Sequence, residues 1–173
     1  MSRKIIGNAR DARIADKFCW VERIPEVLPE GWKYLGRGIS REAYLSPEGV
    51  VYKIIRRDEG GMGDCGDQNQ EYQAFEVLSK IDHPIFSVPK MAKFVIGRRI
   101  VLAAEYLGCE EDNRYNFTCP CDAEYMEAMK FFRTNDLHPG NVRSMANKVY
   151  AIDLGFFNPS YVPANRCYRD GHS

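Results

Sequence analysis

The chain has 173 residues, 45% of them hydrophobic and 12% aromatic, enough for a packed core of one domain or two small lobes, and these values exclude global disorder. Its 24 basic and 24 acidic side chains cancel to a formal charge of zero, so nothing in the balance points to a nucleic-acid or membrane-surface partner. The N-terminus, Met1-Ser2-Arg3-Lys4-Ile5-Ile6-Gly7, lacks the apolar run of a signal peptide, and no stretch reaches membrane-spanning length. A cytoplasmic protein is expected. In that compartment Cys19, Cys65, Cys109, Cys119, Cys121 and Cys167 are expected to be free thiols. The Cys119-Pro120-Cys121 spacing is not the usual two-residue gap of a zinc site.

Residues 9–24 carry Ala12, Ala15, Phe18, Cys19 and Val21 at helical spacing, with Pro25 as a stop. From Trp32 the period changes. Residues 32–36 and 42–45 read as two strands, and Ser46-Pro47-Glu48-Gly49 as a tight turn. The β-branched run Val50-Val51-Tyr52-Lys53-Ile54-Ile55 reads as a third strand. Residues 58–67, with four glycines and several charges, read as a mobile loop, and residues 70–80 as a helix with Tyr72, Phe75, Val77 and Leu78 on its apolar side. A hairpin pairs residues 91–96 with 100–106. Residues 108–118 read as a polar linker, 122–133 as a helix, and a last hairpin falls around 141–153.

Three features carry chemistry. Gly36-Arg37-Gly38-Ile39-Ser40-Arg41-Glu42-Ala43 joins the first two strands, and its glycines allow backbone amides to approach phosphates. Lys53 sits among Val51, Tyr52, Ile54 and Ile55, where a buried ammonium needs a partner; Glu71, early in the next helix, can supply it. Asp136-Leu137-His138-Pro139-Gly140-Asn141 is followed by Ala151-Ile152-Asp153-Leu154-Gly155-Phe156. An aspartate five residues before an asparagine, with a second aspartate twelve residues further on, suits phosphoryl transfer from a nucleotide. One carboxylate orients the attacking hydroxyl, while an amide oxygen and the second carboxylate hold magnesium. Each feature alone has a plainer account: a solvated Lys–Glu pair, a β-turn asparagine, a strand-end aspartate.

In this order the features resemble the protein-kinase-like superfamily over roughly residues 31–157: glycine-rich loop, strand-three lysine, partner glutamate, catalytic loop, metal-binding Asp-x-Gly. The resemblance implies an α+β, two-lobed fold with a five-stranded antiparallel N-lobe sheet and a much reduced C-lobe. Its expected parts are an N-terminal helical extension over 1–30, the N-lobe over 31–107, and a truncated C-lobe over 108–173. It implies ATP and magnesium as cofactors. Gly36 and Gly38 would face the phosphates, and Ala43 and Val51 would roof the adenine. Ala104 would be the small residue behind a hinge of Glu105, Tyr106 and Leu107. Lys53 would hold the α- and β-phosphates, oriented by Glu71. Asp136 would be the catalytic base, and Asn141 and Asp153 the magnesium ligands.

The chain departs from the pattern in several places. Thr134 and Asn135 stand where protein kinases have histidine and arginine, so control through an activation-loop phosphate is not expected. Arg41 replaces the third glycine of the loop and Leu154 stands where many kinases have phenylalanine, changes that remove no catalytic group. Between Leu107 and Asp136 there is room for one helix, and beyond Phe157 no peptide-docking helices are recognisable. Pared-down kinase-like chains of this kind resemble those of bacteriophage and bacterial genomes. The expected activity is ATP- and magnesium-dependent phosphotransfer to a protein, either the chain itself or a partner. A pseudokinase that regulates a partner protein is the rival from another class. Asp136-x-His138-x-x-Asn141 also resembles the aminoglycoside and choline kinases.

Overall fold

The computed structural model of the chain describes residues 5–18, 28–38, 40–56, 66–108 and 123–163. In chain order the elements are α1 (Ala9–Phe18), β1 (Lys33–Arg37), β2 (Arg41–Leu45), β3 (Val50–Ile55), α2 (Gly66–Leu78) and β4 (Phe86–Ser87). They continue with β5 (Met91–Ile96), β6 (Arg99–Glu105), α3 (Ala123–Phe132), a 3-10 turn (Pro139–Asn141), β7 (Val142–Met145) and β8 (Lys148–Ala151). The architecture is α+β. A five-stranded sheet runs β1-β2-β3-β6-β5 with every neighbour antiparallel. Short-range turns explain much of that order. Ser46 N–H donates to Val50 O at 2.9 Å and Gly49 N–H to Ser46 O at 2.9 Å, with Gly49 at φ +79, a conformation glycine adopts without a Cβ penalty. The β5–β6 hairpin turns on two residues, Gly97 and Arg98, with Gly97 at φ +63.

Strand alternation gives this sheet two different faces. On one, Tyr44, Tyr52, Ile54, Val101 and Ala103 meet Trp32 and the Ala12, Ala15 and Phe18 side of α1. Small residues at spacing three let the helix lie close to the sheet. Asn8 caps it, its Oδ1 accepting from Asp11 N–H at 2.8 Å, and its own N–H donates to Tyr52 Oη at 3.1 Å. Arg99 then grips Asp16 through Nε at 2.7 Å and Nη2 at 2.5 Å. On the other face, Val51, Leu102, Ala104, Met91, Ala43 and Leu35 meet Tyr72 and Phe75 of α2.

A second apolar cluster lies under α3 and a three-stranded sheet of order β4-β8-β7. Phe86, Phe132, Val142, Val149, Leu137, Leu154 and Phe157 form it, together with Ala74 and Leu78 from α2. Edge-on aromatic contacts tie it together, Phe132 lying 5.6 Å from Phe86 and 5.0 Å from Phe131. Because α2 contributes to both clusters, it joins the two sheets.

Several expected elements changed in extent. The first helix, expected over 9–24, is described to Phe18; residues 19–27 lie outside the described residues. The second helix begins at Gly66 rather than residue 70 and ends at Leu78, so Asp67 and Gln68, expected at the end of a loop and beyond it, are helical. An acidic residue in the first turn suits the helix dipole. Residues 58–65 of the expected mobile loop, residues 109–118 of the expected linker and all six cysteines fall outside the described residues. β4 had no counterpart in the sequence reading. It is two residues long and pairs in parallel with β8, Phe86 opposite Val149.

Candidate active site

A cleft of about 780 Å³ opens between the five-stranded sheet and the second cluster, within the roughly 300–1,000 Å³ typical of small-molecule sites. Its roof follows from register. Ala43 lies opposite Lys53 on β2–β3, and Val51 opposite Ala104 on β3–β6, so all four share one sheet face. Lys53 Nζ donates to Glu71 Oε1 and to the Ile152 carbonyl. The lysine therefore joins the sheet both to α2 and to the residue before Asp153. Gln68, fully buried, braces this junction: Nε2 donates to Lys53 O at 2.8 Å and to Ile100 O at 3.1 Å.

The floor is built by main-chain bonds around the 136–141 loop. Asp136 N–H donates to Thr134 Oγ1 at 3.1 Å, and Asn141 Nδ2 donates to Asp136 O at 3.0 Å. Asn141 N–H donates to His138 O, and Ile152 N–H to Asn141 O, each at 2.8 Å. Buried Leu137 anchors the loop below. Arg143 Nη1 holds it from the side, donating to Val142 O at 2.9 Å and Gly140 O at 3.1 Å. The result brings Asp136, Asn141 and Asp153 into the same cleft as Lys53, whose Nζ reaches the residue before Asp153. An antiparallel sheet, a lysine paired with a helix glutamate across it, and a catalytic-type loop followed by an Asp-x-Gly turn now occupy one cleft.

These parts follow one another in the order that the kinase-like reading of the sequence expects. No protein-family model matches the chain, and no curated protein matches it. Among solved structures it is similar to the kinase domain of Mycobacterium tuberculosis PknI and to a point mutant and a double mutant of that domain. Identities are 15–16% and TM-scores 0.44–0.45, over 73–75% of this chain. The chain spans about three fifths of the length of those domains, 59–62%.

In this cleft Gly36, Gly38, Ala43, Val51, Lys53, Ala104, Glu105, Tyr106, Leu107, Asp136, Asn141 and Asp153 all line the wall. Glu71 stands behind Lys53, 3% exposed. Asp136 is half-buried and His138 exposed. Gly36 sits at an irregularity of the β1–β2 pair, whose register shifts between Tyr34 and Gly36.

Arg41 is where the structure and the sequence reading part. Expected in the loop as a replacement that removes no catalytic group, it is the first residue of β2, and only 7% exposed. Its Nη1 donates to Glu71 Oε2 and, at 3.1 Å, to Gln68 Oε1, while Nη2 donates to Asp153 Oδ1. A sequence signal for this existed. Arg41 is two residues from Ala43 on a strand, hence on the face that carries Lys53. ATP fits the cleft by volume and by its apolar roof. A divalent ion chelated by both Asp153 oxygens does not fit beside the guanidinium, because Oδ1 already accepts from Arg41 and, at 3.1 Å, from Gly155 N–H. Among the described residues no cluster of three or more His, Cys, Asp or Glu side chains could hold a metal.

The Asp153 carboxyl titrates below its ordinary range. Burial would raise it, but Arg41 and then Lys53 outweigh burial. A depressed folded value means stability present above the unfolded value of about 3.9 and lost as pH falls through the folded one. Asp153→Asn should therefore melt below wild type near neutral pH, and the gap should close on acidification below about pH 4. A gap of the same size at both ends of a melting series would show that Arg41 does not stabilise the ionised carboxylate.

Proposed function

We propose that the protein is an ATP-dependent phosphotransferase whose acceptor is a protein hydroxyl, on the chain itself or on a partner. The supporting observation is Lys53, held by Glu71, lining one cleft together with Asp136. In this reading Ala43 and Val51 cover the adenine and the backbone of Glu105, Tyr106 and Leu107 meets its edge, with Ala104 behind. Gly36 and Gly38 approach the phosphates. Lys53 binds the α- and β-phosphates, and Glu71 fixes its ammonium. Asp136 accepts the acceptor hydroxyl's proton as that oxygen attacks the γ-phosphorus, and the bond to the β–γ bridging oxygen breaks to release ADP. Asn141 and Asp153 are the residues the kinase pattern assigns to magnesium, but magnesium dependence does not follow from this side-chain arrangement, since Arg41 holds the Asp153 carboxylate. The division into an extension, an N-lobe over 31–107 and a smaller C-lobe belongs to the same reading. No helix among the described residues is long and apolar enough to cross a membrane.

Ligand binding by the folded state tests the first half. ATP at about 100 times its Kd stabilises by about 2.7 kcal/mol, a rise of roughly 5–10 °C in Tm for a chain of this size. Lys53→Ala should remove most of the shift. Absence of any shift in wild type at millimolar ATP ends the nucleotide reading. Transfer of labelled γ-phosphate, alone and with cell lysate, tests the second half. A second reading, a nucleotide-binding regulator without transfer, draws on the Arg41–Asp153 contact; binding without label transfer would select it.

A further inference from the structure

We infer that Arg41 takes the place of a divalent cation at the phosphate end of the cleft, so that the site binds free ATP rather than a metal–nucleotide complex. This rests on the nucleotide-binding reading above and names the form of ligand which that site takes.

The four ionised side chains linked at Asp153 balance one another, with Asp67 a further anion near Arg41. Arg41 and Lys53 contribute two positive charges, Glu71 and Asp153 two negative ones, and the four side chains are joined in a chain. Asp153 meets Arg41, Arg41 meets Glu71, and Glu71 meets Lys53. Arg41 and Glu71 are nearly buried, at 8% and 3% side-chain exposure. A divalent ion chelated by both Asp153 oxygens would have to displace the guanidinium from Oδ1, and breaking a buried pair by removing one member is strongly destabilising. Asp67, a further carboxylate lining the cleft, accepts from Ser40 Oγ through Oδ2 at 2.5 Å.

The backbone accommodates the arrangement. A Cβ on Gly155 would stand 3.2 Å from Arg41 Nη2 and 3.4 Å from Asp153 Oδ1, so glycine leaves room for the pair. Of the five N–H groups on a guanidinium, three are used by Gln68, Glu71 and Asp153. Two remain without a partner among the described residues, on a side chain that lines the cleft. A planar guanidinium with spare donors beside an ammonium suits phosphate oxygens, which arginine binds through paired N–H bonds. Lys53 and Arg41 share Glu71, so the two cations are held side by side before any ligand arrives. One guanidinium thus supplies the positive charge and the link to Asp153 that an ion would otherwise supply.

The test is ATP affinity by calorimetry on the full chain, in EDTA and in millimolar magnesium. Wild type should bind more tightly in EDTA than in millimolar magnesium, which converts most of the nucleotide to its metal complex. Arg41→Met should lose about 10–100-fold in EDTA, the loss of a charge-assisted hydrogen bond, and recover with magnesium. Arg41→Lys, which keeps the charge without the fork, should bind in EDTA with intermediate affinity. Melting curves confirm that each variant is folded. Should Arg41→Met fail to fold, the wild-type comparison and Arg41→Lys decide. Wild type that binds ATP only with magnesium overturns the inference while leaving the nucleotide site standing. Equal affinities of wild type and Arg41→Met in EDTA also overturn it. No binding under either condition overturns both.

Discussion

Asp136→Asn is expected to bind ATP with wild-type affinity and to lose phosphoryl transfer by about 10²–10⁴-fold, the usual contribution of a general base. The separation follows from how the residue is held. Its backbone is fixed at both ends, the N–H by Thr134 Oγ1 and the carbonyl by Asn141 Nδ2. Its carboxylate makes no hydrogen bond to any described residue and faces the cleft, so the amide removes proton-accepting power without disturbing the loop. Melting temperature should therefore stay close to that of wild type. Calorimetry and a label-transfer assay on the same preparation, with lysate or partner present, give the two readouts. Transfer at an undiminished rate would take Asp136 out of the chemistry, and loss of affinity would place it against the nucleotide instead of the acceptor.

Glu71→Ala should have the largest effect on the fold. Glu71 is the anion between two cations, Lys53 at 12% side-chain exposure and Arg41 at 8%. Removing it leaves an ammonium and a guanidinium close together in a poorly solvated place, with only the Ile152 carbonyl, Gln68 and Asp153 still holding them. Uncompensated buried charge costs about 3–5 kcal/mol, which lowers Tm by roughly 6–20 °C in a chain this long. ATP should restore little of that, because Lys53 is no longer aimed at the phosphates. Glu71→Gln keeps the volume and one hydrogen-bond acceptor and should fall between. A Tm for Glu71→Ala within a degree or two of wild type would mean that the two cations are solvated and the network is not a buried one.

The sequence by itself determined what short-range physics can specify. Alternating β-branched runs and glycine turns at Gly49 and Gly97 define the hairpins, and hence the antiparallel sheet. A lysine inside an apolar strand announces that it needs an anion, and Glu71, eighteen residues on, was near enough to name. The 136–141 loop was legible because its geometry is made by bonds between close neighbours.

Tertiary structure alone decided the rest. β4 has two residues and no periodicity; it is a strand only because the edge of β8 is offered to Phe86 and Ser87. The first turn of α2, masked in sequence by glycine and polar residues, is held by Gln68 reaching main-chain carbonyls on β3 and β6. Arg41 is the sharpest case. Strand parity indicated its face, but its partner Asp153 is 112 residues away, and a guanidinium has no local preference that would reveal a contact at that distance. Whether such a residue is a solvated loop arginine or the cation at the centre of the cleft depends on which carboxylate the folded chain brings to it, and only packing of the second cluster beneath the sheet sets that.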